Sequence, residues 1–146
     1  MQIKRALYTD EQIHRDSVKI REAVFVAEQH VPADLEVDDD EKDCLYFVGY
    51  NDQNEPLATL RLNPEPYGYH VQRVAVMKAA RGTGLGREIM QAAIAYAEAN
   101  HVEKLVLGAQ VHATGFYESL GFAYTDKPEF IEAGIRHREM AYSTKA

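Results

Sequence analysis

The sequence carries one cysteine, Cys44. No internal disulfide can therefore staple the chain, and a reducing compartment is expected. Long apolar runs are missing as well. None approaches the ~20 residues that a membrane-spanning helix needs, and the opening M-Q-I-K-R-A-L-Y lacks the apolar centre of a signal peptide. The expectation is a cytoplasmic protein with no membrane partner. Excess positive charge is also absent. A net charge of −7 argues against nucleic acid as partner, because phosphate backbones call for a basic surface. It is compatible with a cationic substrate such as an amine. The chain shows no internal repeat, linker or low-complexity segment. At 146 residues and 46% apolar content, one domain spanning 1–146 is expected, with a core burying roughly two-thirds of the unfolded chain's surface.

What is present centres on Val74 to Gln91, V-A-V-M-K-A-A-R-G-T-G-L-G-R-E-I-M-Q. A β-branched run, Val71 to Val76, enters a short loop. Gly82, Gly84 and Gly86 then alternate, and Leu85, Ile89, Ala92, Ala93, Tyr96 and Ala97 follow at the spacing of one helix face. The reading is strand, glycine loop, helix. Glycines let backbone N–H groups approach a ligand closely, and a helix N-terminus offers unpaired donors and partial positive charge to a phosphate. Arg81 and Arg87 flank the loop and can pair with phosphate oxygens. A plain glycine-rich turn that starts a helix is the competing reading. The Walker pattern fails because Arg87 and Glu88 follow the last glycine, and the dinucleotide fingerprint fails because Arg87 stands where its third glycine belongs.

Along the chain, Gln2 to Tyr8 reads as a strand. Thr9 with Gln12 reads as a capping box, opening a helix to about Gln29 that Pro32 blocks from continuing. Residues 33–43, A-D-L-E-V-D-D-D-E-K-D, form the densest acidic stretch. A solvated loop is its default reading; a wall for a cationic amine competes. A calcium loop does not fit, since D-x-[DN]-x-[DN]-G is absent, and no metal is expected. Leu45–Tyr50 and Leu57–Leu62 read as a hairpin. A turn over Asn63 to Pro66 leads into a long strand, Tyr67 to Val76, where period two puts His70, Gln72, Val74 and Val76 on one face and Arg73 and Ala75 on the other. Lys104–Leu107 reads as a further strand, Gly121 as a helix C-cap, and the C-terminal part as a loop and a strand.

Two spaced elements resemble the GNAT superfamily of acyl-CoA N-acyltransferases. Arg81, Gly84 and Gly86 match its R-x-x-G-x-G loop, and A-x-x-F-Y-x-x-x-G-F at Ala113 to Phe122 matches its second signature. Longer strings are similar to the ElaA/YjcF-like branch: Arg21 through V-F-V-A-E-Q-H-V-P to Glu36, Asp38 and Asp43, and F-x-E-x-G-I-x-H-x-x-M near the end. The resemblance implies an α/β GNAT fold, a mixed and mostly antiparallel sheet flanked by helices and splayed where the strands on either side of the central helix part for the cofactor. The implied element order is strand, helix region, three antiparallel strands, helix, strand, helix, two strands.

The resemblance also implies site residues. Val74, Ala75 and Val76 would meet the pantetheine arm of acetyl-CoA, and Arg81, Gly82, Thr83, Gly84, Leu85, Gly86 and Arg87 the pyrophosphate. Ala113 and Phe116 would lie against the cofactor. Gln110 stands where the family often has an asparagine, keeping the amide one methylene further out. Tyr117 would protonate the leaving thiolate, although a tyrosine beside Phe116 on a short helix can equally be core. His70 would be the general base, or simply a strand histidine bonded to a neighbour. Glu28 and Glu36 would face the acceptor, and so would His137 unless it is simply a strand histidine at the surface. The implied function is acetyl transfer from acetyl-CoA to a primary amine of a small molecule or peptide, by direct attack. An acyl-homoserine-lactone synthase and a non-catalytic acyl-CoA sensor are the alternatives. Assembly is open, a homodimer included.

Overall fold

The computed structural model describes residues 2–32 and 38–144. Its elements run β1 (Gln2–Leu7), α1 (Glu11–Arg21), a π-helical continuation (Glu22–Glu28), a 3-10 segment (Asp39–Asp43), β2 (Leu45–Tyr50), β3 (Pro56–Glu65), β4 (Gly68–Val76), α2 (Leu85–Ala99), β5 (Lys104–Gln110), α3 (Thr114–Ser119), β6 (Ala123–Tyr124), β7 (Phe130–Glu132) and β8 (Ile135–Ser143). The strands join in one sheet, ordered β1-β2-β3-β4-β5-β8-β6, with β7 paired to β8.

Alternation along β2 sets the layers. Leu45 and Phe47 pack with Leu60, Leu62, Ile89, Met90 and Leu107 under α2, whereas Tyr46, Val48 and Tyr50 pack with Ile13, Ile20 and Val24 of the first helical region. Both faces are covered, so every residue of β2 is buried. Neither face would hold without its helix, since a strand's apolar residues gain only by leaving water.

Strand β4 is the hinge of the arrangement. It runs antiparallel to β3, but beside β5 it runs parallel and pairs only over Gly68–His70 with Lys104–Val106. Gly68 makes that approach feasible: its φ is +146°, and a Cβ there would collide with the Lys104 carbonyl oxygen. Beyond His70 the two strands part. A β-bulge lies at the same place. Thr59 pairs with Ala75 and Arg61 with Gln72, so Arg73 and Val74 together oppose Leu60. Arg73 takes φ +57°, a left-handed conformation rare for a non-glycine residue.

The bulge corrects the period-two reading of this strand. Gln72 binds Arg61 on the α1 side, whereas Val74 and Val76 pack with the α2 core and Ala75 with the α1 core. Gln72 and Val74 therefore lie on opposite faces, because the extra residue reverses the phase. Four smaller expectations shift too. The N-cap is Asp10, whose carboxylate accepts the Ile13 N–H at 3.0 Å, so the stronger capping residue of the Thr9–Asp10 pair takes the position. Asn63 to Glu65 belong to β3, and the turn after it is shorter. The strand after α2 extends to Gln110. Three strands, β6 to β8, rather than two close the chain.

Candidate active site

Where β4 and β5 part, a cleft of about 1090 Å³ opens between them. One wall is mostly backbone. The Met77 N–H donates to the Leu57 carbonyl at 2.8 Å, and β3 pairs Thr59 with Ala75 and Ala58 with Val76. In an antiparallel ladder successive N–H groups alternate in direction. Those of Val74 and Val76 thus point away from β3, toward the gap that β5 has left. The Val76 carbonyl, on that same edge, accepts from Arg81 Nε at 3.1 Å. The glycine loop continues this wall. Gly84 is the N-cap of α2 with φ +85°, and Cβ atoms added at Gly82 or Gly84 would meet nothing within 4 Å. These glycines serve conformation and leave open space over a helix N-terminus, a setting suited to an anion.

Side chains build the facing part. Tyr117, from α3, lines the cleft and is 8% exposed. Burial raises its pKa, so the phenol stays protonated at neutral pH. Among the described residues its hydroxyl has no hydrogen-bond partner. His137 donates from Nδ1 to the Ile135 carbonyl at 2.7 Å and stacks on Phe130. A neutral ring then keeps Nε2 as an acceptor.

Under the β4 end of the cleft lies a buried ionic cluster. Glu41 is 6% exposed, and Arg21 and Arg61 are 0% exposed. Arg21 grips Glu41 with both terminal nitrogens, at 2.9 and 2.7 Å. Arg61 reaches Glu41 at 2.5 Å and Asp38 at 2.9 Å. His14 Nε2 lies 2.9 Å from Glu41, and the Tyr46 hydroxyl donates to the Glu41 carbonyl at 2.6 Å. Burial alone would raise the Glu41 pKa, but hydrogen bonds from Arg21 and His14 and the arginine charges outweigh it and hold the carboxyl far below its usual range. Arg61 Nε also donates to Gln72 Oε1 at 2.9 Å, and Gln72 Nε2 meets His70 Nδ1 at 3.2 Å.

A fold whose cofactor-sized cleft opens between two splayed parallel strands, with a left-handed glycine at a helix start and a buried tyrosine opposite, can be compared with known proteins. The family model described as Acetyltransferase (GNAT) domain matches residues 5–144. The chain belongs to the GNAT acetyltransferase family. It is 33% identical to the uncharacterized N-acetyltransferase YjcF of Bacillus subtilis, over 94% of this chain and 98% of that one. A crystal structure of a putative N-acetyltransferase from Lactobacillus plantarum superposes with a TM-score of 0.88 at 30% identity, covering 99% of this chain and 98% of the other. Escherichia coli ElaA gives a TM-score of 0.87 at 26% identity over 98% and 100% of the two chains.

Most residues that the sequence marked for this GNAT site line the one cleft: Glu28, His70, Val74, Ala75, Val76, Arg81, Gly82, Gly84, Leu85, Gly86, Arg87, Gln110, Ala113, Phe116, Tyr117 and His137. Several arrive with partners. Glu28 receives Arg81 in a two-pronged pair at 2.8 and 2.7 Å, which turns its carboxylate toward the glycine loop. Arg87 donates to Ser119 Oγ at 2.7 Å. Gln110 exchanges amide hydrogen bonds with Gln29 across the cleft, at 3.0 and 3.4 Å. Thr83 is absent from the lining, and its hydroxyl donates to the Ala80 carbonyl at 2.5 Å. Glu36 lies outside the described residues.

The solvated-loop reading of the acidic stretch is corrected at Asp38 and Glu41, while Asp39, Asp40, Lys42 and Asp43 are exposed. Asp38 caps a helical turn, Glu41 closes the capping box, and both enter the ionic cluster. Sequence reasoning also passed over Arg61, Gln72 and Gln29. Two signals were available: D-x-x-E at Asp38 to Glu41 is a capping-box spacing, and Arg61 stands between Leu60 and Leu62 in an apolar strand, where an unpaired charge would be costly.

Proposed function

We propose that the protein transfers an acetyl group from acetyl-CoA to a primary amine of a small molecule or peptide, within a single domain spanning the chain. Acetyl transfer to an amine is general chemistry of the family, and chains of this fold bind coenzyme A, an aminoglycoside 6'-N-acetyltransferase among them. The observation that carries the reading is the β4 edge at Val74–Val76, which β5 leaves uncovered, followed after a short 3-10 turn (Lys78–Ala80) by a left-handed glycine loop. That wall suits coenzyme A: amide N–H groups for the pantetheine arm, then a helix N-terminus with Arg81 and Arg87 for the pyrophosphate.

Acetyl-CoA supplies a thioester carbonyl for the amine to attack. Holding both reactants in the cleft supplies a large share of the barrier reduction by proximity alone. In this reading the Val76 N–H donates to the carbonyl oxygen as charge develops on it. Tyr117, kept protonated by burial, gives its proton to the departing thiolate, and the proton that the attacking amine sheds passes to water in the open cleft, from which the Tyr117 oxygen is reprotonated. Ala113 and Phe116 pack beside the cofactor, Glu28 and His137 border the acceptor side, and the cleft requires no protein nucleophile.

Incubating the protein with acetyl-CoA and a broad panel of primary amines tests this reading. Free thiol should appear together with an acetylated amine identified by mass. Tight coenzyme A binding with no thiol release from any amine would overturn it in favour of a sensor.

A further inference from the structure

His70 is the side chain expected to act as general base, and its hydrogen bonds can be read for proton positions. An arginine guanidinium only donates. Because Arg61 Nε lies 2.9 Å from one end of the Gln72 amide, that end must be the oxygen. The other end, Nε2, is then a donor, and it sits 3.2 Å from His70 Nδ1. A donor facing Nδ1 requires a lone pair there. The neutral ring must therefore carry its hydrogen on Nε2. Arg61 cannot turn to release this arrangement, since Glu41 and Asp38 hold its other nitrogens.

We propose that His70 is a hydrogen-bond donor to the acceptor substrate through Nε2–H, fixed in that tautomer by a relay from Glu41 through Arg61 and Gln72, and not the base that takes the amine proton. Among the described residues Nε2 has no protein partner, and it is not a sealed atom; His70 lines the cleft. Protonating Nδ1 would set two donors against each other, so the relay opposes the imidazolium. Burial works in the same direction and lowers the His70 pKa, with Glu65, Glu132 and Glu139 partly opposing it and Lys127 adding to it. The donor needs an acceptor atom other than the attacking nitrogen, whose lone pair is committed to the carbonyl carbon. The substrate class is thus an amine that also carries a hydrogen-bond-accepting oxygen. Gln72 and Arg61 are positioning residues.

The substrate part of this inference rests on the acetyltransferase reading; the tautomer does not. A nitrogen-edited NMR spectrum of the histidine side chains in the whole protein, with His70 assigned by its loss in His70→Ala, reads the tautomer directly. The expected result is Nε2–H in the wild type and a switch to Nδ1–H in Gln72→Glu, whose carboxylate can only accept. Nδ1–H in the wild type, or a ring charged at neutral pH, would overturn the relay. If no amine is turned over, the acetyltransferase reading fails while the spectrum still decides the tautomer. With turnover, His70→Ala should lower kcat/KM by roughly 10- to 100-fold, as losing a buried hydrogen bond does. His70→Gln, which can donate from a similar position but cannot act as a base, should recover most of that loss, and ethanolamine should outperform propylamine. Equal losses in Ala and Gln would restore the base role, and equal rates for the two amines would remove the oxygen requirement.

Discussion

The two walls of the cleft are made of different material. On the β4 edge and glycine loop, the groups that border the cleft are largely backbone: the N–H groups of Val74 and Val76, and glycines with positive φ. Elsewhere the cleft is bordered by side chains such as His70, Gln72 and Asp38, backed by a buried cluster joined over long stretches of sequence, with Glu41 lying 20 residues from both Arg21 and Arg61 and 27 from His14. A backbone wall depends on conformation and tolerates many side chains. A side-chain wall depends on each partner, and loses its geometry when one is removed.

The sharpest way to separate the two is Tyr117→Phe, which touches neither wall's framework. Removing the hydroxyl keeps the ring packed on Phe116 and Phe122. Turnover should fall by roughly 10²–10⁴ if the phenol is the general acid, with acetyl-CoA affinity held within a few-fold. Stopped-assay rates and calorimetric binding check this, and normal turnover would return Tyr117 to the core. Next in size is Glu41→Gln, which removes the carboxylate charge that Arg21 and Arg61 share, leaving Arg61 only Asp38, and should destabilise the fold by roughly 3–5 kcal/mol. Denaturant unfolding measures it; a loss under ~1 kcal/mol would mean that water or other acids serve the arginines equally well.

Gly84→Val tests the backbone wall alone. The new side chain meets open space, so the penalty comes from φ +85°, a conformation that costs a β-branched residue on the order of 1–3 kcal/mol. Coenzyme A affinity should drop by roughly 10- to 100-fold as the loop relaxes away from its native shape. Unchanged affinity in a folded variant would remove the phosphate cradle. Acid pH tests the side-chain wall in turn. The Glu41 pKa is lowered in the fold, so its contribution is complete above the unfolded carboxyl value near ~4.3 and is lost as pH falls below it toward the folded-state value. The acid-limb loss of stability should shrink in Glu41→Gln, and an unchanged acid limb would contradict the assignment. The smallest effect belongs to Glu28→Gln. Its pair with Arg81 is well exposed, and solvent screening leaves such a pair with little weight in stability. Freeing Arg81 should raise coenzyme A affinity slightly, and a clear loss would show that Glu28 orients the arginine instead.

The same contrast explains what was legible in the sequence. Glycine spacing, apolar period and the A-x-x-F-Y string are local signals, and they suffice to locate the loop, α2 and the short helix that carries Tyr117. The bulge was hidden because Val71 to Val76 reads as an ordinary β-branched run, and nothing local marks Arg73 as left-handed. The ionic cluster was only half legible: the D-x-x-E spacing and Arg61 between two leucines mark single members, but nothing local says that the fold brings them together. The Gln29–Gln110 pair joins residues 81 apart, a distance over which no periodicity speaks.

The central claim is that the Val74–Val76 edge presents its N–H groups to coenzyme A. Amide NMR with hydrogen exchange, in the free protein and on adding coenzyme A, tests it residue by residue. Val74 and Val76 should exchange quickly when free, then shift and gain protection with the ligand. Met77, already bonded to Leu57, should be protected in both states. Val74 and Val76 amides that are protected in the free protein, or that ignore saturating coenzyme A, would contradict the account.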